Sequence, residues 1–486
     1  MEKKRSKNKR KISDNTMRTK IRHAIGNFPA QFWFLVLGTL ISSTGGFLVW
    51  PFLTLYLRQS MGVSMTTIGL LFTLTSPINF LSQVVGGSLA DRWGRRIMMA
   101  ISLFTSGLIM FGFGLVGSLP SLIFLLVLNG IFGPLFRPAS DAMVADIIEP
   151  EKRAQAYGLL RVVMNVGAAI GPSVGGFIAT RSYFVLFFCA ALASLLYFLI
   201  VVAFIRETKP QRSTTLEGTT DQAREGWNTV LRDTPFLAFC LITVLTCIVY
   251  SQMNTTFPVY LKENSGIGEA QYGQLMALNA IMVILLQFPI TRITDRYRQM
   301  QMQMMALGAF LYALGFGAQG FVGTLPLFAV SVAIWTLGEM VIAPVSTVLV
   351  ADMAPETLRG RYMGAFGLTW GIGYGLGPTL GGTVMDNLGG RYVWYTSLIL
   401  GSMAAAAFLL LGRFAPSSAG AREDAKTTHL FPPGLAIRET CQRSLVRLGE
   451  RLVTWGYQLQ TRSAAESRKS LDTISENSCK EVSRWL

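Results

Sequence analysis

The sequence predicts an all-α membrane protein, with twelve transmembrane helices arranged as two pseudo-symmetric six-helix bundles. Three observations carry that prediction. Of the 486 residues, 51% are hydrophobic and only 14% are charged, against about 25% charged in soluble domains. The apolar residues gather into twelve stretches, each close to the ~20 residues that cross a bilayer as a helix. The second half of the chain also repeats short segments of the first at a constant spacing.

The stretches are 30–57, 67–90, 97–117, 122–145, 156–180 and 183–205, then 235–260, 269–291, 301–322, 326–350, 361–385 and 392–412. Only helices and closed barrels satisfy every backbone group in lipid, and these runs are too long and too evenly apolar for barrel strands. The organisation that follows is a basic tail (1–28), a first bundle (29–205), a polar linker (206–234), a second bundle (235–412) and a tail (413–486). In that last tail Ile437, Cys441, Leu445, Leu448, Leu452, Trp455 and Leu459 recur at steps of three and four. Such spacing predicts an amphipathic helix near 436–460 lying on anionic lipid or docking a partner.

Charge sets the topology. The formal net charge is +16, but residues 1–28 hold ten Lys/Arg against Glu2 and Asp14, and 413–486 hold twelve against eight acids. Three quarters of the excess therefore lies in two tails, which excludes a basic nucleic-acid-binding domain. With the N-terminus inside, 38 of 43 basic residues fall on one side, including Arg92, Arg95, Arg96, Lys152, Arg153, Arg161, Arg296, Arg298 and Arg359. Basic loops face the cytoplasm, so the expectation is a multi-pass protein of the cell (inner) membrane with both termini cytoplasmic. The first apolar stretch begins too late for a cleaved signal. Cys189, Cys240, Cys247, Cys441 and Cys479 show no C-x-x-C spacing, and His23 and His429 lie in the tails; neither disulfides nor a metal site is expected.

Val144 to Gly158 (VADIIEPEKRAQAYG) returns as Val350 to Gly364 (VADMAPETLRGRYMG). Asp146 and Asp352 correspond, as do Pro138 and Pro344, each 206 positions apart. A glycine series follows each segment: Gly158, Gly167, Gly171, Pro172, Gly175 and Gly176 in the first, and Gly364, Gly373, Gly377, Pro378, Gly381 and Gly382 in the second. Duplicated bundles of this kind usually flank a binding site near the membrane midplane.

The loop after the second stretch carries Gly87, Asp91, Arg92, Gly94, Arg95 and Arg96 in the pattern G-x-x-x-D-R-x-G-R-R. This loop resembles the signature of the major facilitator superfamily. The glycine series resembles the motif typical of that family's twelve-helix drug:proton antiporter branch. The resemblance covers residues 30 to 412. It implies two six-helix halves that rock around a central site. It also implies a conformational latch in which Arg95 reaches Asp146 and holds the outward-facing state closed inside, and a gating fifth helix packed across the interface between halves. Asp295 and Arg296 are what survives of the signature in the second half. Two positions depart from the antiporter pattern. The first stretch holds no acid, and Leu126 and Asn129 stand where that branch carries an Arg and a Gln, so its proton relay is not carried over.

Charges inside a membrane are costly and mark function by default. Glu339 lies near the middle of the tenth stretch, and Arg137 and Asp141 share a helix face in the fourth. These are the candidates for proton coupling, with a structural hydrogen-bonded acid and a neutralised pair as the alternatives. Asn79, Asn165, Tyr250, Gln252, Asn254, Asn279, Gln287, Trp370 and Tyr374 are the candidates for lining a cavity. No G-x-x-x-x-G-K-[ST] loop is present, which argues against ATP-driven pumping, and the stretches offer no histidine or carboxylate cluster suited to an enzyme. The expected function is a monomeric secondary exporter of small amphipathic compounds in exchange for protons, with no cofactor beyond the proton gradient and lipid as its surroundings. The alternatives are an uptake symporter or facilitator for a metabolite, and a transporter-like sensor or scaffold.

Overall fold

The computed structural model describes residues 28–208 and 227–414. The expected amphipathic helix near 436–460, most of the linker and both tails lie outside the described residues. Twelve helical spans run in order. They are α1 (Ala30–Gln59), α2 (Met65–Trp93), α3 (Arg95–Leu115), α4 (Leu119–Ile147), α5 (Arg153–Ala179) and α6 (Tyr183–Phe204). There follow α7 (Thr234–Ser251, continued by Thr256–Ser265), α8 (Glu269–Arg296), α9 (Gln301–Ala318), α10 (Leu325–Met353), α11 (Arg359–Asn387) and α12 (Gly390–Phe414). Ten are long and apolar enough to cross a membrane on composition alone. The other two are α9, which opens on Gln301 and Gln303, and the glycine-rich α11.

Local chemistry fixes the boundaries. Ser64, Ser182 and Asp233 each accept a backbone N–H of the first turn that follows them, satisfying donors that a helix start leaves orphaned. Gly94 takes φ +108° between α2 and α3, a conformation closed to residues with a Cβ, so the signature loop needs glycine there for its turn. A short 3-10 turn at Gly133–Leu135, carrying Pro134, interrupts α4, and another at Gln252–Asn254 interrupts α7. Pro134 has no N–H to donate to the helical ladder.

The six helices of each half pack alike. In the first, α1 packs on α5 and α6, and α3 on α6; in the second, α7 packs on α11 and α12, and α9 on α12. The halves meet through two equivalent seams, α2 against α11 and α5 against α8. We call the end carrying Arg92–Arg96, Lys152–Arg153 and Arg296–Arg298 the basic end. Hydrogen bonds and ion pairs tie the two halves together toward the opposite end, from Thr73–Thr379 to Arg58–Glu263 and Asp386–Thr66. At the basic end, a Cβ added to Gly158, Gly360, Gly364 or Gly367 would meet only open space. The bundle is closed at one end and open between its halves at the other.

Candidate substrate and coupling site

A cavity of about 400 Å³ lies between the halves. The first half contributes Phe47, Arg161, Asn165 and Pro172, and the second Tyr250, Asn254, Asn279, Glu339, Trp370 and Tyr374 among others. Glu339 sits on α10 and is held from two sides. The Tyr250 hydroxyl donates to Oε1 at 2.9 Å, and the Asn279 amide donates to Oε2 at 2.9 Å and to Thr336 Oγ1 at 3.0 Å. The Thr336 hydroxyl is in turn committed to the Val332 carbonyl at 2.6 Å. Tyr250 stacks on Tyr312 with centroids 5.5 Å apart and meets Trp335, Trp370 and Tyr374 edge-on. Among the described residues the carboxyl has no ion-pair partner; neutral donors alone fix it. A carboxyl so placed can gain or lose a proton, or meet a cation, without first breaking a salt bridge.

Six of the nine cavity candidates line this space: Asn165, Tyr250, Asn254, Asn279, Trp370 and Tyr374. Three do not. The Gln252 amide turns away and donates to the Gly377 carbonyl at 2.8 Å while its oxygen accepts from Thr256 at 2.8 Å. Gln287 donates to the Met340 carbonyl at 3.1 Å and to Thr291 at 3.1 Å. Asn79 faces a separate chamber within the first half. In each case helix rotation decides, which polarity alone does not encode. Arg161 was assigned to a basic loop, but α5 begins at Arg153, so it stands two turns inside the helix and faces the cavity. Tyr312, Ser346 and Thr347 are further lining residues the sequence did not single out; Tyr312 sits in an apolar run with no polar neighbour to flag it.

Arg137 and Asp141 face each other at 3.9 Å with side chains 71% and 54% exposed, and neither is among the residues lining the cavity with Glu339. They form an exposed helix pair, away from Glu339.

The latch residues occupy one cluster. Arg95 is 5% exposed; its Nε lies 3.0 Å from Asp146 Oδ2 and its Nη2 3.1 Å from Asp91 Oδ1. The Nε approach lacks hydrogen-bond alignment, so the contact is ionic. Glu207, which the sequence did not single out, accepts from the Arg95 backbone N–H at 2.8 Å and caps α3. Arg95, Asp91 and Asp146 belong to the first half and Glu207 to the start of the linker, and the cluster is formed while the basic end is open. Arg95 thus reaches Asp146 as expected, and in this state, open at the basic end, the pair ties α3 to α4 within the first half. Arg92, Arg96 and Gly87 flank it.

Removing Asp146 leaves the buried Arg95 guanidinium with only the exposed Asp91 as its ion-pair partner, a cost approaching the ~3–5 kcal/mol of breaking a buried pair, whereas the Asp91 carboxylate is 66% exposed and its pair is worth ~0–1 kcal/mol. Thermal denaturation is therefore expected to show Asp146→Ala clearly less stable than Asp91→Ala. Equal melting temperatures would contradict the assignment. In the second half, Asp295 and Arg296 are exposed. The contact to Asp352 comes instead from Arg298 at 3.0 Å and Gln301 at 3.1 Å. Gln301 stands 206 positions after Arg95, so an uncharged amide replaces the guanidinium.

The glycine series also divides. Gly167, Gly171 and Gly175 abut α1 at Ser43, Phe47 and Leu48, and Gly373, Gly377 and Gly381 abut α7 at Cys247, Ser251 and Gln252. These are close small-residue contacts within a half, while the fifth helix itself packs across the interface on α8 as expected. Only the last glycine of each series crosses: a methyl on Gly176 would overlap the Glu269 carbonyl of α8, and one on Gly382 the Met65 carbonyl of α2. Small residues here let backbones approach closely. Pro172 and Pro378 lie at the same two seams, beside Gly273 and Gly69 respectively.

Residues 35–302 and 255–459 match the Major Facilitator Superfamily. The chain is 29% identical over 372 residues to the uncharacterised MFS-type transporter YqjV of Bacillus subtilis, covering 76% of this chain and 90% of the relative. It is 29% identical over 390 residues to the multidrug resistance protein MdtH of Aeromonas hydrophila, covering 78% and 94%. With the Na(+), Li(+), K(+)/H(+) antiporter of Planococcus maritimus it shares 27% over 398 residues, covering 76% and 92%. Among solved structures, a POT family transporter in complex with 5-aminolevulinic acid superposes with TM-score 0.69 at 16% identity, covering 80% of this chain and 97% of that one. A bacterial homologue of the human lysosomal transporter Spinster, inward-facing and unoccupied, superposes with TM-score 0.63 at 15% identity, covering 79% and 96%.

Proposed function

We propose that this chain, which belongs to the Major Facilitator Superfamily, is a secondary exporter of small amphipathic compounds that moves protons in the opposite direction. The single observation that carries the reading is Glu339, an acid held by neutral donors in an aromatic-lined cavity between two rocking halves. In this reading the basic end faces the cytoplasm, so the described state is open inward. A substrate enters beside Trp370 and Tyr374, whose rings suit an apolar or cationic group, and the polar groups of Asn165 and Asn254 orient it. Release follows when the α2–α11 and α5–α8 seams part at the outer end and close at the basic end. Protonation of Glu339 from outside resets the carrier. The multidrug and cation/proton antiporter names of two relatives support both export and proton exchange.

The test is dye efflux and drug susceptibility in a pump-deficient bacterium expressing the chain, with and without an uncoupler. The expected result is lowered susceptibility and efflux that collapses on adding the uncoupler. Efflux indifferent to the uncoupler would refute proton exchange, and dye entry in place of efflux would turn the reading to uptake.

A further inference from the structure

A second chamber of about 360 Å³ lies wholly inside the first half, among α1, α2, α3, α4 and α6. Its wall carries Ser42, Asn79, Ser106, Asn129 and Ser194, with the Trp50 indole alongside. Among the described residues none of these five polar side chains makes a hydrogen bond. All five sit in helix interiors at membrane depth. All five residues are half-buried, so their polar atoms are open to a molecule that enters the chamber.

The internal repeat explains why the space exists. Val116-Gly-Ser-Leu-Pro120 aligns with Val322-Gly-Thr-Leu-Pro326, so the offset of 206 also holds across α3 and α4. Ser106, Asn129 and Gly133 then correspond to Tyr312, Trp335 and Glu339. In α1 and α7 the equivalence follows from packing: Gly171 meets Phe47 where Gly377 meets Ser251, which pairs Gly46 with Tyr250. The second half fills this volume with Tyr250, Tyr312, Trp335 and Glu339, joined by ring contacts and a hydrogen bond. The first half has small residues at all four positions, and all four line the chamber.

We propose that this chamber is a binding site for an uncharged, ring-sized, hydrogen-bonding moiety such as a phenol. Such a group takes the place that tyrosine and tryptophan occupy in the other half. It draws its hydrogen bonds from Asn79, Asn129 and the serine hydroxyls, and it has no charged side chain to meet. Cavities of 300–1,000 Å³ lined this way are typical of small-molecule sites. The proposal concerns binding alone and does not depend on the direction or coupling of transport.

The test uses the full chain in nanodiscs and 4-fluorophenol as the probe, read by ¹⁹F NMR, with fluorobenzene as the apolar control of similar size. The expected result is saturable binding of 4-fluorophenol that exceeds that of fluorobenzene. Binding should weaken at least tenfold in Ser106→Tyr/Asn129→Trp, which restores the second half's residues. It should weaken comparably in Asn129→Leu, which keeps the volume and removes the amide; this single variant decides if the double one does not fold. Absence of saturable binding would overturn the proposal, leaving the chamber to water alone. So would equal binding of fluorobenzene, or unchanged affinity in the folded variants.

Discussion

Replacing Glu339 with glutamine is expected to abolish uphill export while leaving the protein folded and able to exchange substrate down its gradient. Glutamine keeps the shape and one oxygen, so Tyr250 retains its acceptor at the Oε1 position. The amide that replaces Oε2 faces the Asn279 amide, donor against donor. That loses one hydrogen bond of about 1 kcal/mol, a shift of a few degrees in melting temperature. What glutamine cannot do is take up or release a proton. In inverted vesicles the variant should therefore show dye accumulation at background with a pH gradient imposed, and near-normal counterflow without one. Normal gradient-driven accumulation would remove Glu339 from the coupling. Loss of both activities in a well-folded variant would make it a binding residue only.

Asp386→Ala is expected to open the end of the bundle that the structure holds shut. Asp386, on the last turn of α11, accepts from the backbone N–H of Met65 at 3.2 Å and Thr66 at 2.7 Å, and from the Thr66 hydroxyl at 2.8 Å. It thus caps α2 from the other half of the protein. Its side chain is 17% exposed and Arg58 Nη1 lies 3.5 Å away, with Arg58 Nε 2.8 Å from Glu263. Three charge-assisted bonds at ~1.5–3 kcal/mol each are lost, offset in part by water that hydrates the freed donors. They are lost only in the state closed at this end, since α2 and α11 must separate to open it. A net shift of about 3 kcal/mol changes the ratio of the two states by roughly 100-fold. Spin labels at Gln59 and Asn387, both exposed near this end, should report a longer mean distance in the variant, in a background freed of native cysteines. An unchanged distance distribution would show that the cap does not hold the seam.

Much of this architecture was legible in the sequence because lipid makes the rules strict. Every backbone group must be satisfied within its own helix, so twelve apolar stretches became twelve helices, each ending within a few residues of the expected place except where α7 runs on to Ser265 and α8 to Arg296. Gly94 was legible for a different reason, since its positive φ leaves little choice of residue.

The site was only partly legible. Glu339 stood out by its charge, but Gln252 and Asn254, two residues apart, point to different neighbours, and only Asn254 reaches the cavity. Glycine spacing indicated close packing without naming the partner, which for most of the series is α1 or α7 in the same half. The closed end was invisible for a topological reason. Arg58, Glu263 and Asp386 come from the ends of three separate helices and read singly as ordinary end-of-helix charges.

The most direct measurement of the central claim is proton movement coupled to substrate in a purified system. Proteoliposomes containing the full chain and a trapped pH-sensitive dye would be presented with an amphipathic cation such as ethidium, with no other ion gradient imposed. Antiport predicts that ethidium entering the lumen drives protons out, raising the internal pH in the wild type and leaving it unchanged in Glu339→Gln. Ethidium entry with no pH change, or with acidification of the lumen, would contradict it.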